Sequence, residues 1–466
     1  MFKYLLFCFK YKIISVLPNI AIHSSRVVLP SVVTDATVIC TNGKIVEILS
    51  GSSCPRGFQY VEMFDAVLMP GLIDVHVHVN EPGRTDWEGI ATASKAAIAG
   101  GITTIVDMPL NASPVTTTVE ALNIKMTSMK SSGLHCNVGF WGGIIPGNTN
   151  EIEPLIKAGV LGFKAFLTHS GIDEFPNATI ADLEKAMPII AKHGLPLLVH
   201  AELEGTHVPA EQNNPESYRE YLASRPTVWE NEAIDYLISL ASKYKCKTHI
   251  VHLSSAEALD AIKLAKTSGV PISVETAPHY IFFNAEAISD GNTLYKCAPP
   301  IREAANNEQL RQALNSGLID FVATDHSPST PDLKGIETRN FKTAWGGIAS
   351  LQYLLPATYT AMKLYEPTLM KLAKWLCSAP AKLAGLQATK GMIAVGADAD
   401  LMAWQPEENY TIQEDTTYHR YPIGPYISQN VYGQVVGTWI AGKRVYDNEK
   451  GFLENEGQFI FNKEHL

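Results

Sequence analysis

Short apolar strands alternate with longer helical stretches through the middle of this chain, and β-branched runs with turn signals mark both of its ends. Together these patterns predict the α/β class: a (β/α)8 TIM barrel with a small β-sandwich domain built from both chain ends. A length of 466 residues leaves room for both units.

The elements follow in order. Residues 1–18 are aromatic and aliphatic, interrupted by Lys3, Lys10 and Lys12, with no acid before Asp35. The lysines keep every apolar run well short of the ~20 residues a membrane-spanning helix needs. An acid-free basic leader has the character of a mitochondrial or other organelle-import segment, and a disordered terminus would look the same. Residues 19–69 are the N-terminal part of the β-domain. Arg26-Val27-Val28-Leu29, Ala36-Thr37-Val38-Ile39-Cys40 and Lys44-Ile45-Val46-Glu47-Ile48-Leu49 are strand-like, and Asn42-Gly43 is a hairpin turn signal. Residues 70–390 form the barrel. Strands are expected at 68–78, 103–108, 138–141, 162–167, 197–200, 248–252, 272–276 and 321–325, with helices at 92–99, 180–192, 230–243, 256–268 and 309–316. Eight strands over about 250 residues suit a barrel, and no G-x-G-x-x-G follows the first strand, as an open dinucleotide-binding sheet would require. Residues 391–466 complete the β-domain, with strands at 399–404 and 435–440 before the turn Ala441-Gly442-Lys443.

Composition excludes some functions. A hydrophobic content of 46%, a charged content of 18% and 27 prolines describe a folded globular chain. A net charge of -10 argues against a nucleic-acid partner. The seven cysteines, Cys8, Cys40, Cys54, Cys136, Cys246, Cys297 and Cys377, show no C-x-x-C spacing. Free thiols in a reducing, intracellular compartment are the reading they support.

Chemistry collects at the strand ends. His76 and His78 close the first strand two residues apart, so both face one side. Lys164 lies on the fourth strand, and His200, His252 and Asp325 end the fifth, sixth and eighth. The C-terminal strand ends of a barrel converge on one mouth, where barrel enzymes hold their active sites. Four imidazoles and a carboxylate gathered there describe a metal site of the zinc kind. One histidine at a strand end carries little weight, but agreement across five strands is not coincidence. His23, His135, His193, His207, His419 and His465 read as surface or loop residues, and His249 should face the helices. His169, His279 and His326 could support the ligands from behind.

Lys164 stands in Gly162-Phe163-Lys164-Ala165-Phe166-Leu167, where an ammonium is expensive to bury. A buried neutral amine can form a Schiff base or add carbon dioxide to become a carbamate. A ring of cation ligands favours the carbamate, whose two oxygens can bridge two metals. Asp325 can both bind metal and move a proton between the attacking water and the leaving nitrogen.

These residues resemble the amidohydrolase superfamily in its cyclic-amidase branch. Pro70-Gly71-Leu72-Ile73-Asp74-Val75-His76-Val77-His78 carries the H-x-H signature, Gly162-Phe163-Lys164 is similar to the carboxylated-lysine segment, and His252-Leu253-Ser254-Ser255 and Ala323-Thr324-Asp325-His326 to the later ligand segments. The resemblance implies two Zn2+ ions, with His76, His78 and Asp325 on one, His200 and His252 on the other, and N6-carboxylated Lys164 between them. Within the branch the allantoinase group is the most similar. Asn80-Glu81-Pro82-Gly83-Arg84-Thr85-Asp86-Trp87-Glu88-Gly89, Met108-Pro109-Leu110-Asn111 and Lys164-Ala165-Phe166-Leu167 followed by Ser170-Gly171 carry that likeness. It implies hydrolysis of (S)-allantoin, a neutral ureide, to allantoate in purine degradation, by a homo-oligomer, often a tetramer. Dihydropyrimidinase and hydantoinase activity is the alternative. Dihydroorotases hold an anionic substrate with an arginine and a histidine where this chain has Asn80 and Ser329, neither of which pairs a carboxylate. Arg84 could partly replace them. Asn80, Asn111 and Ser327 are the expected contacts to a neutral ring.

Overall fold

The computed structural model describes residues 19–205, 207–454 and 456–462, so the expected leader lies outside the described residues. The barrel strands are β1 (Leu72–Val77), β2 (Ile102–Asp107), β3 (Asn137–Phe140, continued by Gly142–Gly143), β4 (Phe163–Phe166), β5 (Pro196–His200), β6 (Lys247–Ile250), β7 (Ile272–Thr276) and β8 (Phe321–Val322). All neighbours pair in parallel. Backbone bonds close the ring: Leu161 N–H donates to Phe140 O (2.9 Å) between β3 and β4, and His78 N–H to His326 O (2.8 Å) between β1 and the end of β8.

Side-chain alternation sorts the barrel. Phe163, Ala165, Leu197, Val199, Ile250 and Val274 pack outward with the helices. Leu198, Val251, Phe166, Phe321, Ile73 and Val75 pack in a second cluster inside. The helix Ile180–Lys192 illustrates how the outer layer forms. Thr179 and Asp182 make a capping box, and Leu183, Ala186, Met187 and Ile190 recur at helical spacing on its buried face.

Both chain ends join one nine-stranded network. Its path runs through Gly451–Phe452, Lys443–Asp447, Asn430–Ile440, Leu401–Thr411, Val67–Pro70, Ile20–Val28, Val33–Thr41 and Lys44–Ser50, with Gln59–Glu62 added onto Ile20–Val28. The hairpin at Asn42-Gly43 forms as expected, with φ of 51° and 76° at the two residues. The stretch 68–78, expected as one strand, divides at Gly71. Its N–H bonds Asp400 O (2.8 Å) on the sheet side, while the next N–H, of Leu72, bonds Gly101 O (3.0 Å) in the barrel. A Cβ at position 71 would lie 2.8 Å from Thr103 Cβ, so only glycine lets the chain cross there. The C-terminal tail leaves the sheet and returns to the barrel, where Ile460 N–H bonds Val138 O (2.9 Å). Six cysteines fall among the described residues, and all are free.

One buried ion pair ties the helix layer to the barrel mouth. Lys125, in the helix Val119–Ser132, donates to Asp107 Oδ2 (2.5 Å) and to Met108 O (3.1 Å). The other oxygen of Asp107 accepts from Val79 N–H (2.8 Å), the residue after His78. Both side chains are 1% exposed, so removing one partner strands a charge in the core. Lys125→Met should therefore cost about 3–5 kcal/mol and lower the thermal unfolding temperature, whereas the double replacement Asp107→Leu/Lys125→Met should recover only part of that loss, since Val79 N–H then loses its acceptor. An unchanged melting curve for Lys125→Met would contradict this role.

Candidate active site

Two strands end in strained backbone where the site begins. His252 and Asp325 have φ of 39° and 47°, and Asn80 and Asn111, on neighbouring loops, have 65° and 66°. A non-glycine residue in this region costs of order 1–3 kcal/mol, more readily borne by asparagine. The departure from strand geometry at Asp325 is why β8 stops at Val322, short of the expected residue 325. On β6 it reverses the reading of one histidine, His249, and leaves that of His252 standing. Thr248 and Ile250 point away from the inner cluster, so His249, with Val251, faces the barrel interior, and the break in alternation turns His252 inward as well. His249 was expected to face the helices. Instead it stacks on Phe321 (ring centres 5.0 Å apart) and bonds Glu275 and Ser273. On β1 a register irregularity between Asp74 and Val77 accompanies the turn of His76 and His78 to one side. Asp74 locks that irregularity by accepting from His76 N–H (3.1 Å), Thr324 N–H (3.2 Å) and the Thr324 hydroxyl. Burial pushes its carboxyl up to about 7, against those bonds.

The six expected groups meet at the mouth. His76 Nε2 lies 3.1 Å and His78 Nε2 3.5 Å from the same Asp325 oxygen, Oδ1. Ligand atoms of these three residues all fall within 4.8 Å of one another. His252 Nε2 faces His200 Nδ1 at 2.9 Å, and the His76 and His252 rings are 5.4 Å apart. Lys164 Nζ sits 4.9 Å from the centre of the Phe166 ring, which stacks on His200. The lysine is fully buried, its nitrogen has no hydrogen-bond partner, and burial lowers it to about 7 although Asp325 and Glu275 pull the other way.

Buried carboxylates fix where the lone pairs point. His76 Nδ1 donates to Glu275, which leaves the Nε2 lone pair directed at the carboxylate oxygen of Asp325. His200 Nε2 donates to Glu202 (2.7 Å), which leaves Nδ1 as an acceptor directed at His252 Nε2. Glu275 and Glu202 are both held at about 2: burial opposes ionisation, but His76 and His249 beside one and Arg225 and His200 beside the other prevail. Burial lowers His78 to about 4, so neutral imidazole is its form at neutral pH. Where the His76 ring is neutral, its Nε2 and the Asp325 oxygen are two acceptors facing each other in a dry site, and a cation between them relieves the repulsion. The unpartnered Lys164 Nζ, His78 Nδ1 and His252 Nδ1 add to that demand. Buried imidazoles whose ring nitrogens are oriented by carboxylates, plus an ionised carboxylate, form a donor set that fits a metal centre.

A cavity of about 600 Å³ opens above these groups. Asn111 and Ser327 line it. Asn80 does not: it is buried beside the cavity, its amide donates to Pro328 O (3.3 Å), and its Oδ1 has no partner. Arg84 is turned away to Glu174 (2.7 Å) and to the carbonyls of Asn111 and Ala112. Ser329 is buried and donates to Thr330 O (3.3 Å). The positions where an anionic substrate would be paired are therefore uncharged or already engaged.

The fold and site are those of a known group. A model of the amidohydrolase family matches residues 67–445. The chain belongs to the amidohydrolase family. Among its relatives are the allantoinase of Arabidopsis thaliana, 43% identical over 92% of this chain and 88% of the relative, and that of Streptomyces avermitilis, 44% identical over 95% and 98%. The chain is a member of that allantoinase group. L-Hydantoinase (dihydropyrimidinase) from Arthrobacter aurescens superimposes with a TM-score of 0.88 at 27% identity, covering 95% of this chain and 99% of the other.

Sequence patterns missed part of this amidohydrolase's site. Glu275 and Glu202 are not singled out by the sequence, although Glu275 puts a charge in the predicted strand Ile-Ser-Val-Glu-Thr as Lys164 does in its own. His23, His135 and His419, expected as surface or loop residues, are buried; His135 and His419 do lie in loops, whereas His23 is on the strand Ile20–Val28. His23 is bracketed by Glu62 (2.7 Å) and Asp35 (2.9 Å), and His419 packs on His326 (ring centres 4.9 Å apart). His169 lines the cavity, and His279 and His326 are fully buried. His465 lies outside the described residues. Because Glu275 sets the His76 tautomer, Glu275→Gln should weaken metal retention by about 10–100-fold with the fold intact. Metal analysis after dialysis against graded chelator checks this, and retention equal to the parent protein would refute it.

Proposed function

We propose that this chain hydrolyses the hydantoin-ring amide of (S)-allantoin to allantoate, the ureide step of purine degradation, at a centre of two zinc ions bridged by N6-carboxylated Lys164. The observation that carries this reading is the meeting of oriented acceptors at one barrel mouth: His76, His78 and Asp325 about one point, His200 and His252 about another, and Lys164 beside both. In this reading His76, His78 and Asp325 hold one ion, and His200 and His252 the other. Bound zinc would supply a nucleophile from water at neutral pH and polarise the carbonyl under attack.

The chain's own groups account for the proton. Burial opposes ionisation of Asp325, but charge on His76 and hydrogen bonds from His76 and His78 prevail and hold its carboxyl well below the ordinary carboxylate range, so it is ionised. Its Oδ1 faces the two histidines, and Oδ2 takes the proton of the attacking water. Water oxygen bonds to the ring carbonyl carbon, the carbon–nitrogen bond breaks, and the same proton passes to the departing nitrogen. The products are one ureido group and one carboxylic acid, which releases the water's second proton to solvent and becomes the carboxylate. Asn111 and Ser327, at the cavity wall, would donate to and accept from the neutral ring, with Asn80 holding the loop behind them. The likeness to the L-hydantoinase supports dihydropyrimidinase or hydantoinase activity as the second reading. A homotetramer, and import into an organelle by residues 1–18, complete the reading. No helix among the described residues is long and apolar enough to cross a membrane.

The deciding experiment offers the purified protein allantoin, hydantoin, dihydrouracil and dihydroorotate. Allantoin should be opened and dihydroorotate left intact. Turnover of dihydrouracil without allantoin would transfer the assignment to the second reading. Asp325→Asn should lower kcat by about 10²–10⁴-fold with substrate affinity retained. A free Lys164 amine near 7 is mostly protonated below that pH and mostly neutral above it. Reconstitution of metal-free protein should therefore be faster at pH 8 than at pH 6 and should require bicarbonate. Indifference to both would remove the carbamate from the scheme.

A further inference from the structure

Two lysines beside the cavity have no acidic partner among the described residues. Lys334, 4% exposed at the end of the short helix Pro331–Lys334, donates to Lys296 O (2.8 Å), Trp345 O (3.2 Å) and Gly347 O (2.5 Å). Lys296 lines the cavity and donates to Ala344 O (2.6 Å) and Lys342 O (3.3 Å). Between them the two ammonium groups take the carbonyls of residues 342, 344, 345 and 347. Burying an ammonium without a counter-ion is expensive, and an apolar side chain would fill the same space more cheaply. Burial accordingly lowers Lys334 to about 7 and Lys296 to about 8. What the charge adds is a point on which carbonyls converge.

The segment so held matters to the site. Residues 342–346 line the cavity, yet they form no helix or strand and run into Gly346-Gly347. Trp345 packs edge-on to Trp87 (ring centres 4.7 Å apart), and its Nε1 donates to Ser327 O (3.3 Å). Gly347 sits so close to Ser327 that a Cβ there would meet Ser327 Oγ at 2.6 Å. Ser327 follows Asp325 by two residues. The carbonyl held by Lys334 thus belongs to the residue that presses on the loop carrying Asp325.

We propose that Lys296 and Lys334 are positioning residues that set substrate selectivity, by clamping the 342–347 wall at the distance from Asp325 that suits one ring. The proposal rests on the cavity being the substrate site assigned above. Neither lysine touches the reacting atoms.

The test compares the parent protein with Lys334→Met, Lys296→Met and the double variant in KM and kcat for allantoin and hydantoin, in bound metal, and in tryptic cleavage after the exposed Lys342. Each single variant should raise KM for allantoin by about tenfold or more while kcat changes by less than about threefold. The preference for allantoin over hydantoin should narrow. Bound metal should stay at the parent level and cleavage after Lys342 should accelerate. The double variant should cost little more than the worse single one, since both lysines hold one segment. Parent-like KM and cleavage would overturn the clamp. So would an equal fall in kcat for both substrates accompanied by metal loss, which marks a general structural role. If Lys334→Met fails to fold, the half-buried Lys296 still gives a variant on which both readouts decide. Should the parent protein itself leave allantoin untouched, the substrate assignment falls, while the proteolysis comparison continues to judge the clamp.

Discussion

Where His76 is neutral, its Nε2 lone pair and the Asp325 oxygen face each other in a dry protein interior, and a cation between them relieves the repulsion. The rest of this mouth follows from that constraint. The facing arrangement is imposed from outside the ring of candidate ligands, because Glu275 claims the Nδ1 proton of His76 and Glu202 claims the Nε2 proton of His200. Each carboxylate is itself held ionised by a further partner, His249 in one case and Arg225 in the other. The tautomers are thereby chosen before any ion arrives. Reorganisation that a flexible set of histidines would undergo on binding is instead completed during folding.

Preorganisation of this kind has to be resisted by the scaffold. His252 and Asp325 sit in left-handed backbone that each would avoid in isolation, and the strands that end in them are short. The barrel supplies compensation nearby. Asp74 bonds β1 to the end of β8, and the Lys125–Asp107 pair reaches the backbone directly after His78. These polar ties lie among apolar side chains, where an unsatisfied partner would be costly. The strain at the mouth and the buried polar ties beneath it are therefore two sides of one arrangement.

What could be seen in the sequence was what depends on position along the chain. The alternation of strands and helices, the turn at Asn42-Gly43 and the recurrence of ligand residues at strand ends all have fixed spacings, and the six groups they pointed to do meet. Lys164 was conspicuous because an apolar strand has no use for an ammonium. Glu275 broke its strand in the same way but was passed over, since its meaning lies in His76, 199 residues away. His249 was misread for a different reason. Strict alternation puts residues 249 and 252 on opposite faces, and the positive φ at His252 cancels the rule at the one residue where function needs it cancelled. The burial of His23 and His419 is hidden from the sequence because nothing local announces the acids and rings that enclose them. Periodicity reports faces, whereas side-chain networks are built from distant parts of the chain.

The cavity wall shows how a site for a neutral ring can use charge without offering it. Arg84 is spent on Glu174, Arg225 on Glu202, and the lysines at 296 and 334 on backbone carbonyls. Each of these four cations is directed into the protein, so its field is damped by the dipoles it orders, while Lys342 on the same lining stays exposed. An anionic substrate entering such a cavity would lose its hydration and find few donors free to replace it. Under the proposed function a ureide would lose less, because its amide groups could pair with side chains such as Asn111 and Ser327 on the cavity lining. Selectivity against carboxylates would then rest on how these four cations are engaged, a property of the folded network and not of the number of basic residues near the mouth.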